Sequence, residues 1–148
     1  MNTRSGFTIF ELLIAVAIVG ILASVAVVSG RQVLQDQQQN AALNTLQQSI
    51  WQGATSAAAR GASTELVRSG NQFSVRRQDN KRVLRRFELA KSVTSNLPQG
   101  VVLRFTPPGK IDPASMQNLP ATLTLTTKRA TYKLTLSLIG EVKHEVIP

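Results

Sequence analysis

One stretch limits the fold of this 148-residue chain more than any other. From Phe7 to Gly30 it reads FTIFELLIAVAIVGILASVAVVSG, twenty-four residues with a single charge, Glu11. As a helix this run covers about 36 Å, enough for a hydrocarbon core of about 30 Å. Ahead of it, Met1-Asn2-Thr3-Arg4-Ser5-Gly6 is short and polar, and Arg4 predicts that this end stays cytoplasmic. Glu11 is the anomaly. A carboxylate near the end of a spanning segment is costly, though less so than at its centre, and an ordinary secretory signal has no need of one. It gains a purpose if Gly6 marks a cleavage site, because cutting between Gly6 and Phe7 frees an α-amino group one helical turn before Glu11. A cation is unfavourable at a helix N-terminus and a carboxylate is favourable. In a stacked assembly Glu11 can also pair with the amine of a neighbouring subunit. Two plainer readings stay open on these residues: an uncleaved signal-anchor helix, or a signal peptide cut near Ser24-Val25-Ala26.

The run Ser5-Gly6-Phe7-Thr8-Ile9-Phe10-Glu11-Leu12-Leu13 resembles the leader and cleavage motif of type IV pilins and type II secretion pseudopilins. The resemblance implies that residues 1–6 are a prepilin leader ending at Gly6. It implies that Phe7 becomes the N-methylated N-terminus and that Glu11 is the assembly glutamate. The partners it implies are a prepilin peptidase and methylase, the bacterial inner membrane, and other pilin or pseudopilin subunits. Many pilins carry a helix-kinking proline late in the apolar run; here no proline lies between Phe7 and Leu97.

Beyond the apolar run, residues 31–60 are rich in Gln and Ala. Leu43, Leu46, Ile50, Ala54 and Ala57 recur at three- and four-residue steps, with Trp51 beside them, which predicts an amphipathic helix packed on the protein's own sheet. The helix is expected to run unbroken from Phe7 to about Arg60, about 80 Å, with Gly61 as its stop. After Gly61 the texture becomes short alternating runs: Thr64–Arg68, Gln72–Arg77, Arg82–Leu89, Val101–Phe105, Ala121–Thr127, Thr131–Leu138 and Glu141–Ile147. Residues 107–109 and 112–120 read as loop. The expected fold is α+β: a long N-terminal transmembrane and assembly helix (residues 7–30 spanning, 31–60 amphipathic), then a small antiparallel β domain over residues 61–148. Val102-Leu103-Arg104-Phe105, Pro108-Gly109 and the strand pair ending at Ile139-Gly140 resemble the GspH/FimT group of minor pseudopilins and minor pilins. Members often have Gly-Arg near the last strand where this chain has Gly140-Glu141, so no role of that arginine transfers.

Catalytic chemistry finds no footing. The chain has one histidine, His144, no cysteine, eight scattered carboxylates and no phosphate loop. The expectation is a structural protein with no cofactor and no metal site. The informative charge is positive: a formal +9, concentrated between Arg68 and Lys91. There Arg68, Arg76, Arg77, Lys81, Arg82, Arg85, Arg86 and Lys91 face only Asp79 and Glu88. A hairpin of the two flanking strands puts Gln78–Lys81 in its turn and crowds cations at that tip. Arg76, Arg77, Lys81, Arg82, Arg85 and Arg86 are therefore candidate DNA contacts, since guanidinium groups suit phosphate geometry. The plainer reading is a solvated edge that discourages strand pairing or meets acidic faces of other pilins. Phe73 and Phe87, interleaved with the cations, are expected in the core.

Overall fold

The computed structural model describes residues 8–147, so the expected cleavage pair Gly6 and Phe7 lies outside the described residues. The chain divides into two compact units, residues 1–37 and 38–148. One helix, α1 (Ile9–Arg60), contributes to both.

In the first unit α1 is long and apolar enough to cross a membrane. Its large apolar side chains stay exposed, from Ile9 at 81% to Leu34 at 59%. Burying that much apolar surface in lipid or against other helices is strongly favourable, at about 25 cal/mol per Å² of area removed from water.

In the second unit the helix carries a buried stripe of Ala42, Leu43, Leu46, Ser49, Ile50, Gly53, Ser56 and Ala57, the three- and four-residue spacing read from the sequence. Trp51 lies off the stripe and is exposed. Gly61, in the left-handed conformation at φ +59°, ends the helix where a side chain would be strained.

The β part forms two antiparallel sheets. The first contains β1 (Thr64–Ser69), β2 (Gln72–Arg77), β3 (Val83–Glu88), β5 (Gly100–Thr106) and β6 (Lys110–Ile111), in the order β3-β2-β1-β5-β6. The second contains β4 (Thr94–Ser95), β7 (Leu123–Thr126), β8 (Thr131–Leu136) and β9 (Val142–Ile147), in the order β4-β7-β8-β9. The seven expected strands are present with slightly shifted ends. The two-residue strands β4 and β6 are too short to carry an alternating pattern. The stretch 112–120, expected as loop, contains a one-turn helix, α2 (Pro113–Met116). Asp112 caps it by accepting from the Ala114 N–H at 3.1 Å, and Pro113 supplies a preset φ at its start.

The core draws on both sheets and the helix: Leu66, Phe73, Val75, Leu103 and Phe105 from the first sheet, Leu123, Leu125, Tyr132 and Leu134 from the second, and Leu46, Ile50 and Ala57 from α1. At Gly53 the helix comes close to the first sheet, and the Phe105 ring fills the space of the missing side chain. Beside it the Thr64 hydroxyl donates to the Gly53 carbonyl at 2.8 Å. Thr64 and Phe105 are cross-strand partners on the helix-facing side of the first sheet. Residues one step along, Glu65 and Arg104, therefore occupy the opposite face.

Candidate functional site

At the start of α1, Thr8 and Glu11 form a reciprocal cap. The Glu11 N–H donates to Thr8 Oγ1 at 3.2 Å, and Glu11 Oε2 accepts from the Thr8 N–H at 3.0 Å and from its hydroxyl at 3.1 Å. Two otherwise orphaned donors of the first turn are satisfied this way. Glu11 Oε1 accepts no hydrogen bond among the described residues.

The basic candidates do share one hairpin. β2 pairs antiparallel with β3, and residues 78–82 connect them. The structure then sorts the cations by what they touch. Arg76 reaches Glu65 through Nε and Nη2, both at 3.0 Å from Oε2. Lys81 places Nζ 3.2 and 3.1 Å from Oε1 and Oε2 of the same carboxylate. Arg77 pairs with Asp79 instead, and its buried Nε has no hydrogen-bond partner among the described residues. Arg82, Arg85 and Arg86 are exposed and have no carboxylate at ion-pair distance among the described residues. Arg85 lies 5.5 Å over the Phe87 ring. Phe73 is fully buried and Phe87 half-buried, paired across β2 and β3 as the alternation predicts. β3 is an edge strand, and its pairing with β2 shifts register where Leu84 is the extra residue opposite Val75 and Arg76.

Two groups outside the basic cluster, Glu65 and Arg104, organise this surface. Glu65 is 1% exposed, and it lies directly across from Arg76 on β2 and from Arg104 on β5. Arg104 Nε lies 3.5 Å from Glu65 Oε1. Burial pushes the Glu65 carboxyl up, but hydrogen bonds and charge from Lys81 and Arg76 outweigh it and hold the group below the usual carboxylate range. Arg68, counted above with the surface charge, is buried. Its Nε donates to the Gly70 carbonyl at 2.8 Å and its Nη1 to the carbonyls of Ser95, at 2.9 Å, and Leu97. Desolvation lowers its pKa, and it joins the first sheet to the segment that carries β4 of the second. Strand alternation alone puts Glu65 on a different face from Thr64 and Leu66; its partners follow only from the register of three strands.

Residues 1–27 match the model for the prokaryotic N-terminal methylation motif. No curated protein and no solved structure matches the chain. The motif implies processing by a prepilin peptidase and assembly with other pilins, a structural rather than enzymatic role. With its 52-residue helix and antiparallel sheets the chain has a pilin-like α+β fold, and its first 27 residues carry the N-terminal methylation motif.

Proposed function

We propose that the chain is a minor pilin or minor pseudopilin of the GspH/FimT type, a structural subunit of a type IV pilus or a type II secretion pseudopilus. On this reading a prepilin peptidase cuts between Gly6 and Phe7, Phe7 is N-methylated, and the helix leaves the inner membrane for the filament. Before assembly the chain is single-pass, with its N-terminus cytoplasmic and its β domain outside. Glu11 carries the argument. It is the single charge in the apolar run, and its Oε2 is engaged by Thr8 while Oε1 accepts nothing among the described residues. That oxygen suits the new α-amino group of an adjacent subunit, because a carboxylate left unpaired in a low-dielectric filament core is strongly unfavourable. Mass spectrometry of the mature chain is expected to find N-methyl-Phe7, and Glu11→Gln is expected to abolish incorporation into filaments. A chain that keeps Met1 in cells that process other pilins, or full incorporation of Glu11→Gln, refutes the proposal.

A second reading has its own observation: Arg82, Arg85 and Arg86 are exposed on an edge strand and its turn, with no carboxylate paired to them among the described residues. They suit the phosphate backbone of DNA during uptake, in a sequence-blind and salt-sensitive manner. The full chain in detergent is expected to retard duplex DNA at about 50 mM salt, and the triple substitution of these arginines by Gln to weaken that retention. No retention by the parent chain at that salt removes this reading.

A further inference from the structure

The first sheet has a charge arrangement that simple neutralisation of Glu65 does not account for. Arg76, Lys81 and Arg104 all lie within 3.5 Å of this one buried carboxylate. One cation would neutralise it; the others add mutual repulsion and leave a local surplus of two positive charges. The chain accepts backbone strain to build the arrangement, since Lys81 sits at φ 57°, a conformation uncommon for residues other than glycine. Arg104 is fixed from behind: its N–H donates to Ser115 Oγ at 3.1 Å and its carbonyl accepts from the Asp112 N–H at 2.8 Å. The cations remain reachable, with side-chain exposures of 27% for Arg76, 54% for Lys81 and 47% for Arg104. Nη1 of Arg76 and both terminal nitrogens of Arg104 make no hydrogen bond among the described residues. On the same face Arg86 sits across from Ser74, two residues from Arg76, so the positive field extends along the sheet.

We propose that Glu65 holds Arg76, Lys81 and Arg104 as a preformed oxyanion site on the outer face of the first sheet, taking a phosphate-type group supplied by the phosphodiester backbone of nucleic acid. Two guanidinium groups whose free N–H donors are held by a common anchor match a tetrahedral oxyanion better than mobile lysines do, because less side-chain freedom is lost on binding. Glu65 is a positioning residue here and does not touch the ligand. The source of the phosphate rests on the nucleic-acid reading above; the site itself rests on the geometry of the cluster.

The test uses the full chain in detergent micelles with two probes. Inorganic phosphate is titrated while the side-chain Nε–H resonances of Arg76 and Arg104 are followed, and labelled duplex DNA is bound at about 50 and about 200 mM salt. Arg104→Gln is expected to weaken DNA binding about fivefold and to reduce the salt slope by about one. Lys143→Gln, on the second sheet, is expected to leave binding within about twofold of the parent. Glu65→Gln separates an organised site from a diffuse field. It raises the net charge, so a diffuse field tightens binding, whereas loss of the anchor weakens it. Where Glu65→Gln fails to fold, Arg104→Lys serves: charge alone restores binding in a diffuse field and does not in a site that needs the guanidinium fork. DNA bound equally well by Arg104→Gln overturns the inference and leaves the nucleic-acid reading standing. Phosphate shifts at Arg76 and Arg104 without DNA binding uphold the site and remove nucleic acid as its source. Neither phosphate shifts nor DNA binding overturns both.

Discussion

Replacing Gly53 by Ala tests how the helix is seated on the first sheet. A methyl group built there lies 2.3 Å from Phe105 Cε2, 2.7 Å from Cδ2 and 2.8 Å from Cζ. Carbon atoms rest at about 3.5–4.0 Å, so the ring or the helix must move by more than about 1 Å. Phe105 has nowhere to go: it is 0% exposed and packed in the common core. Moving the helix instead stretches the 2.8 Å hydrogen bond from Thr64 to the Gly53 carbonyl, worth about 1 kcal/mol. Overpacking of this kind costs about 1–3 kcal/mol, and three simultaneous clashes argue for the upper end. Against it stands the better helix propensity of Ala, about 1 kcal/mol. The net expectation is a loss of about 2 kcal/mol, which for a unit of this size lowers the melting temperature by about 8 °C. Near-ultraviolet circular dichroism of the full chain in detergent follows the loss of packing. Adding Phe105→Leu, which shortens the clashing ring, is expected to recover more than about 1 kcal/mol of coupling in a double-mutant cycle. If Gly53→Ala melts at or above the parent temperature, helix propensity has won and the close-approach argument is wrong.

Other consequences are as direct. Arg68→Met leaves three backbone carbonyls without their donor and is expected to cost about 3 kcal/mol in denaturant unfolding; a cost under about 1 kcal/mol means that water replaces the guanidinium freely. Because the folded-state pKa of Glu65 is depressed, its contribution is complete above the unfolded value of about 4.3 and is lost as pH falls through the lower folded value. Urea unfolding followed downward from pH 7 is expected to lose stability on that acid side in the parent and much less in Glu65→Gln; identical acid limbs contradict the assignment. Thr8→Ala removes the hydroxyl of the helix cap and is expected to cost about 1 kcal/mol locally, seen as roughly fivefold faster amide exchange at Glu11. Unchanged exchange there means that the cap is not formed in solution.

Much of this molecule was legible in the order of its residues. The apolar run with one carboxylate, the stripe from Leu43 to Ala57, the stop at Gly61 and the alternation around Phe73 and Phe87 are local patterns, and helix and strand periods fix how local patterns point. Even the capping pair is written in the sequence, as Thr8-x-x-Glu11. The short strands β4 and β6 were not legible, because two residues carry no period.

The fate of each charge was also beyond the sequence. A count of cations between Arg68 and Lys91 treats them alike, yet Arg68 is buried against carbonyls, Arg77 is paired with Asp79, and Arg76 and Lys81 share Glu65. Arg104, far along the chain, joins them because β5 lies on the other side of β1. Bulges at Leu66/Val67 and Val75/Arg76 help set which residues face each other, and a one-residue slip would turn those side chains to the opposite face. The order of residues therefore determined that this chain has a greasy helix and a basic β domain. Only strand pairing decided which cations already have a carboxylate, because Coulomb energy depends on distances that register and packing create.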